Sequence, residues 1–204
     1  MFPFAGIKSQ NNVSAFHQFW SVSRYERCWA VKHVFVANKA WKITKYVRLV
    51  TDSVSKSNVL DGDIDGGQVD AFRHAFWMAM LIQNMYWKKA FRLGIAHEKG
   101  NFLDFKKHLK EEGKFPDKIS TDMDLYNNNI GIEIGLEIVK KSPSISADSI
   151  KQIVISYILK GKMKIIKKNK NGEFLDANNN VISRESLVGK WENDKVLVIS
   201  NYVR

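Results

Sequence analysis

With 204 residues, of which 45% are hydrophobic and 12% aromatic, the chain can bury a full core, which excludes wholesale disorder. A single cysteine, Cys28, excludes an intrachain disulfide and any zinc site built on cysteines. The net charge of +11 favours anionic partners, namely nucleic acid, an anionic membrane surface, a phosphorylated substrate or an acidic inhibitor protein, while at any single cluster a solvated lysine-rich surface is an equal alternative.

The first residues, MFPFAGIKSQ, carry no charged leader with an apolar run behind it. No apolar stretch approaches the roughly 20 residues that a membrane span needs. The expectation is a protein made in the cytoplasm without a signal peptide. Residues 1 to 23 show no clean period, yet Phe2, Phe4, Phe16, Phe19 and Trp20 call for burial, against the body or against another chain. From Arg24 to about Val54 apolar residues recur at three- and four-residue steps, from Trp29 and His33 through Val36, Ala40, Ile43 and Val47 to Val50. That spacing predicts one long amphipathic helix, or two with a break near Asn38, and puts His33 on the apolar track as a core histidine. Asp52 to Asn58 reads as a polar turn.

Asp61 to Gly67 cannot be regular structure, because its three aspartates alternate with Gly62 and Ile64 before a Gly66-Gly67 pair. The acids either suit the dipole of the adjoining helix or bind metal. Phe72 stands where a calcium loop needs its glutamate, so the segment is not an EF-hand. The next helix, to Asn84, is apolar around nearly its whole circumference, the mark of an element buried on all sides. Down it runs a polar stripe of Asp70, Arg73 and His74, continued by Trp77 and Leu81. After a break near Asn84, WKKAFRLGIAHEKG forms a helix whose wheel turns His97 and Glu98 inward. Asn101 to Ser120 is a lysine-rich excursion with a short helix around Phe105. A third helix, capped by Thr121 or Asp122, groups Asp124, Asn128, Gly131 and Gly135 on one face with Asn127 at its edge. Its two glycines predict a close helix approach, for which Gly94 and Ala90 offer a matching small surface. Ser146 caps a last helix that Gly161 stops, and Asn171-Gly172 signals a hairpin in the C-terminal segment. The expected fold is mainly α: a helical bundle over residues 1–161 with a buried polar site in 58–141, plus a small β extension over 162–204.

Three helices thus each turn polar groups inward: Asp70, Arg73 and His74; His97 and Glu98; Asp124 and Asn128. Buried charge costs several kcal/mol unless paired or bound to a cation, so the plain alternative is an ion-pair network without a ligand. The inventory of carboxylates, imidazoles, a guanidinium and an amide suits a divalent cation, Ca2+, Mg2+ or Mn2+.

The order DAFRHAFW, then AHE, then MDLYNN with a glycine close behind resembles a family of bacterial helical domains found in polymorphic-toxin and secretion-effector settings. The resemblance covers roughly Asn58 to Gly135. It implies a functional set of Asp70, Arg73, His74, Trp77, His97, Glu98, Asp124, Asn127 and Asn128. A looser similarity, to helical toxins that cleave the pyrophosphate of lipid-linked cell-wall precursors, would add Asp61, Asp63 and Asp65 to the metal site.

Together these readings predict a metal-dependent phosphoesterase or pyrophosphatase, exported into the periplasm of a target cell and countered by an acidic immunity protein. Asp70, Asp124 and Glu98 would hold the cation and His97 would take a proton from water. His74 would protonate the leaving oxygen, and Arg73 would clamp the phosphate. Asn127, Asn128 and Trp77 would line the lipid-linked substrate. A nuclease is the second expectation, and a non-catalytic basic binding module the third.

Overall fold

Ser23 opens the helix that follows it: its hydroxyl accepts the Glu26 N–H while the Glu26 carboxylate accepts the Ser23 N–H, a reciprocal cap. The structure is a computed structural model and describes residues 19–107 and 116–203. The expectations for Phe2, Phe4 and Phe16, and those for most of the lysine-rich run past Lys107, lie outside these residues.

Helix α1, Arg24–Lys32, ends at His33, and α2, Val34–Ser55, begins directly after it. The break expected near Asn38 therefore falls at His33, whose non-helical backbone closes one helix and opens the next. His33 is half-exposed, edge-on to the Trp29 ring at 5.1 Å, and not a core residue. Trp20, expected to be buried, is 56% exposed and lies under the Arg27 guanidinium. Where a polar turn was expected from Asp52, α2 continues to Ser55.

The chain then runs through the aspartate loop into α3, Gln68–Asn84, which is buried on nearly every side as its composition predicts. Phe72 and Phe76 stack with ring centroids 5.1 Å apart and no exposure. Each contributes about 2–3 kcal/mol by leaving water. Helix α4, Trp87–Lys106, runs further than expected and absorbs the start of the lysine-rich excursion. Helix α5, Lys118–Lys141, starts at Asp117, whose carboxylate accepts the Ser120 N–H at 2.8 Å, and not at Thr121 or Asp122. Asp117 is also ion-paired with Lys195 at 2.7 Å, which fixes the cap one turn earlier than the acidic run suggests.

The most extensive helix pairing is α3 against α5. Gly131 is its point of closest approach: a Cβ there would sit 2.3 Å from the Ala75 carbonyl oxygen. The surface that the two glycines meet is thus Ala75 and Ala79 of α3 with Ile82, and not Gly94 and Ala90 of α4. Helix α6, Ala147–Leu159, is capped by Ser146 and stopped at Gly161, where φ is 71°, both as expected.

Strand β1, Lys164–Ile166, pairs antiparallel with β2, Leu197–Ile199, in the register Lys164↔Ile199. Between them lie single bridges at Lys168↔Phe174 and Leu175↔Val181, the two expected turns, and a short helix α7, Arg184–Leu187. The fold is mainly helical with this small C-terminal sheet. Ile165 and Ile166 are buried, so β1 joins the helical core.

Candidate metal centre

Because Gly131 lets α3 and α5 approach so closely, side chains from the two helices meet across a narrow gap. From α3 come Asp70 and His74, one helical turn apart, and from α5 comes Asp124. His74 Nε2 lies 3.2 Å from Asp124 Oδ1 and 3.7 Å from Asp70 Oδ1. All three residues are buried, and one ligand atom from each lies within 4.8 Å of the others. An Asp-His-Asp cluster of this size could hold a metal ion.

Electrostatics point the same way. Burial pushes the His74 pKa well below its ordinary value, Arg73 and His97 push it further, and Asn128 opposes them. The ring is therefore neutral, and a neutral imidazole is the form that ligates. For the same reason His74 is poorly suited to the proton-donor role expected of it; its place is beside the two carboxylates. Arg73 donates to Asp70 Oδ1 at 2.7 Å, and its second neighbour is His74 Nε2 at 3.2 Å. The ring nitrogen thus faces an N–H group and a carboxylate at once, a contradiction that a cation between the ring and the acids would resolve. His74 Nδ1 and both polar atoms of the Asn128 side chain are buried without a hydrogen bond among the described residues. Asn128 lies close enough to influence His74 but is not aligned for a bond, so its amide can accept or donate to a bound oxygen.

His97 stands beside this cluster, its ring centroid 6.4 Å from that of His74 and 5.7 Å from Trp77. Its Nδ1 lies 3.3 Å from Glu26 Oε1. Burial raises the Glu26 pKa, but the His97 hydrogen bond and charge, with the Ser23 contacts, outweigh it and hold the carboxyl down to about 2. Glu26 fixes which ring nitrogen of His97 points away from α1. Trp77 donates to the Thr44 hydroxyl at 2.9 Å, which pins its ring behind the stripe. A cavity of about 140 Å³ opens here between α1, α2, α3 and α4. Its walls are largely apolar, from Trp29, Ala37, Ala40 and Trp41, and Glu26, Arg48, Arg73, His74 and His97 are the charged or ionisable residues that line it.

The four further acids expected as ligands, Glu98, Asp61, Asp63 and Asp65, are not part of this cluster. Glu98 is buried and accepts the Asn101 amide at 3.1 Å. Asp61 accepts the Gln68 N–H at 3.0 Å, the work of a helix cap. Asp63 accepts the Asp65 N–H and is ion-paired with Lys168 at 2.8 Å. The Asp61–Asp65 loop nevertheless serves the cluster, because the Gly66 N–H donates to Asp70 Oδ2 at 2.7 Å and orients that carboxylate. Gly66 is itself held by the Ile166 N–H on its carbonyl, with Ile166 side-chain atoms where a Cβ would be. Asn127, expected to meet substrate, instead clips β1: its amide donates to the Lys164 carbonyl and accepts the Lys164 N–H.

Sequence reasoning missed Glu26, Thr44 and Lys168. The Ser23-to-Glu26 capping pattern marked only a helix start, and nothing in a linear pattern pairs it with a histidine on another helix. No curated protein and no solved structure matches this chain. A match covering residues 27–164, about two thirds of its length, shows that the chain belongs to the family described as a domain of unknown function, DUF6973.

Proposed function

We propose that this protein is a divalent-cation-dependent hydrolase of a phosphate ester or pyrophosphate bond, acting as an antibacterial effector on a lipid-linked cell-wall precursor. The observation that carries the reading is the buried Asp70-His74-Asp124 cluster, whose His74 also lines a largely apolar cavity. The residues fit a cation: two carboxylates, a ring nitrogen held neutral, and an Asn128 amide still able to bond. Of Ca2+, Mg2+ and Mn2+, the imidazole ligand favours Mn2+, since the other two prefer oxygen alone.

A cation bound there supplies a polarised phosphate oxygen and a water of lowered pKa. His97, held through Nδ1 by Glu26, takes the proton of the attacking water on its other nitrogen. Arg73, which bonds to Asp70 and lines the cavity, stabilises the charge that develops on the phosphate oxygens. Asn128 orients a substrate oxygen, and Trp77 closes the wall behind His97. The apolar cavity walls accept part of a hydrocarbon chain while Arg48 and Arg73 meet its anionic head. The resemblance of DAFRHAFW, AHE and MDLYNN to effector domains supports the biological setting, export into a rival's periplasm and an acidic immunity protein. The +11 charge also favours a second reading, a nuclease using the same centre on a phosphodiester backbone.

Incubation of the protein with a lipid-linked pyrophosphate precursor and, separately, with plasmid, each with and without chelator, tests this. Chelator-sensitive release of a phosphorylated sugar, lost in Asp124→Asn, is the expected result. Plasmid cleavage alone would favour the nuclease, and inertness towards both would favour a binding module.

A further inference from the structure

The turn between α1 and α2 leaves its apolar residues uncovered. Phe35 is 98% exposed, Val31 63% and Val34 60%, three apolar residues within five positions at the corner where one helix gives way to the next. Lone exposed apolar residues are ordinary, but a bulky cluster at a tip is not. The surroundings of the corner are cationic. Lys32 lies within it, and Lys89 and Arg92 on α4 are close enough to His33 that, after burial, their charges are the main influence lowering its pKa. The Trp29 indole donates to the Lys89 carbonyl at 2.9 Å, which fixes α4 beside the corner.

We propose that the corner formed by Val31, Val34 and Phe35, with Lys32 in it and Lys89 and Arg92 beside it, docks the protein on an anionic lipid bilayer. Apolar side chains this exposed can enter the acyl boundary of a bilayer. Lysine and arginine heads at the rim meet lipid phosphates while their stems stay in the apolar layer. Charge complementarity selects anionic over zwitterionic lipid. Position supports the same assignment: Ala30 and Ala37, which flank the corner in sequence, both line the cavity that leads to Arg73, His74 and His97. A docked corner would present the cavity to a substrate whose hydrocarbon tail stays in the bilayer. The docking surface rests on the hydrolase reading only for that substrate; the patch itself stands apart from the cation cluster.

Cosedimentation of the full chain, in chelator and without substrate, with vesicles of phosphatidylglycerol and phosphatidylcholine and with vesicles of phosphatidylcholine alone, tests it. The expected result is binding to the anionic vesicles that weakens with added salt. Phe35→Ser should lower the partition coefficient about 30-fold, the worth of one inserted phenylalanine. Lys32→Glu with Arg92→Glu should lower it at least as much, and Val181→Ser, an exposed apolar residue in the β extension, should leave it unchanged. All these positions are exposed, so the variants fold. Because no hydrolysis is read, a protein that binds vesicles yet cleaves nothing would sink the hydrolase reading and leave the docking surface standing. Equal binding to both vesicles, no binding, or binding that Phe35→Ser leaves intact would overturn the proposal. So would a concentration-dependent dimer that Phe35→Ser dissolves, since the corner would then be a contact between two copies.

Discussion

Two sets of carboxylates lie close together in the sequence, Asp61, Asp63 and Asp65 on a loop and Asp70 at the start of the buried helix. The loop acids are closely spaced and look like the better cation site. Yet Asp61 accepts backbone N–H groups and Asp63 faces Lys168, whereas Asp70 meets His74 and, across the helix gap, Asp124. A site depends less on how many acids a segment carries than on whether acids from different elements converge on one point. The loop acts at one remove, through the Gly66 N–H on Asp70.

The strongest way to break this contrast is to part the helices. In Gly131→Ala the new Cβ meets backbone of Ala75, which cannot turn aside. The variant should lose about 3 kcal/mol or more of stability, less the helix-propensity gain of roughly 1 kcal/mol, and should bind divalent cations weakly where it still folds. Thermal unfolding with and without Mn2+ reads both effects.

Lys168→Met attacks the loop instead. It leaves the Asp63 carboxylate without the lysine that the β extension supplies, and should cost about 2 kcal/mol in a urea titration. Cation affinity should fall only modestly, since Asp70 keeps its place on α3. A loss as large as that from removing a ligand would show that the loop, not the helix pair, sets the site.

A third acid, Glu26, extends the contrast, for its low pKa makes it a pH-dependent strut. Its folded pKa of about 2 lies below the ordinary 4.5, so its contribution is whole above about pH 4.5 and is lost as the pH falls towards 2. Glu26→Gln should flatten that part of the stability profile, by up to roughly 3 kcal/mol, as read by unfolding at a series of pH values. The smallest effect belongs to Asp61→Ala: about 1 kcal/mol from a lost cap, with cation affinity unchanged.

Much of the site was legible because it is carried by helical periodicity. A helix apolar all round must sit inside the bundle, so Asp70, Arg73 and His74 down one line of it must face other polar groups there. The wheel of α5 turns Asp124 and Asn128 inward without further information. The fold class came from the same pattern. What stayed hidden depends on contacts between distant segments. Glu26 reaches His97 across the bundle, and Asn127 spends its amide on the backbone of Lys164, although by position it could equally have faced substrate. The cap of α5 slipped to Asp117 because Lys195, far along the chain, makes that carboxylate the better-held one. His33 broke the first long helix although its spacing suited an apolar face, because its backbone, at φ −131° and ψ 40°, leaves the helical region there.

Calorimetric titration of Mn2+ into the metal-free protein, its Asp124→Asn variant and its Asp61→Ala variant tests the central claim most directly. One ion per chain should bind to the parent and to Asp61→Ala with the same affinity, and about 100-fold more weakly, or not at all, to Asp124→Asn. Binding that survives in Asp124→Asn but disappears in Asp61→Ala would contradict the account and move the centre to the loop.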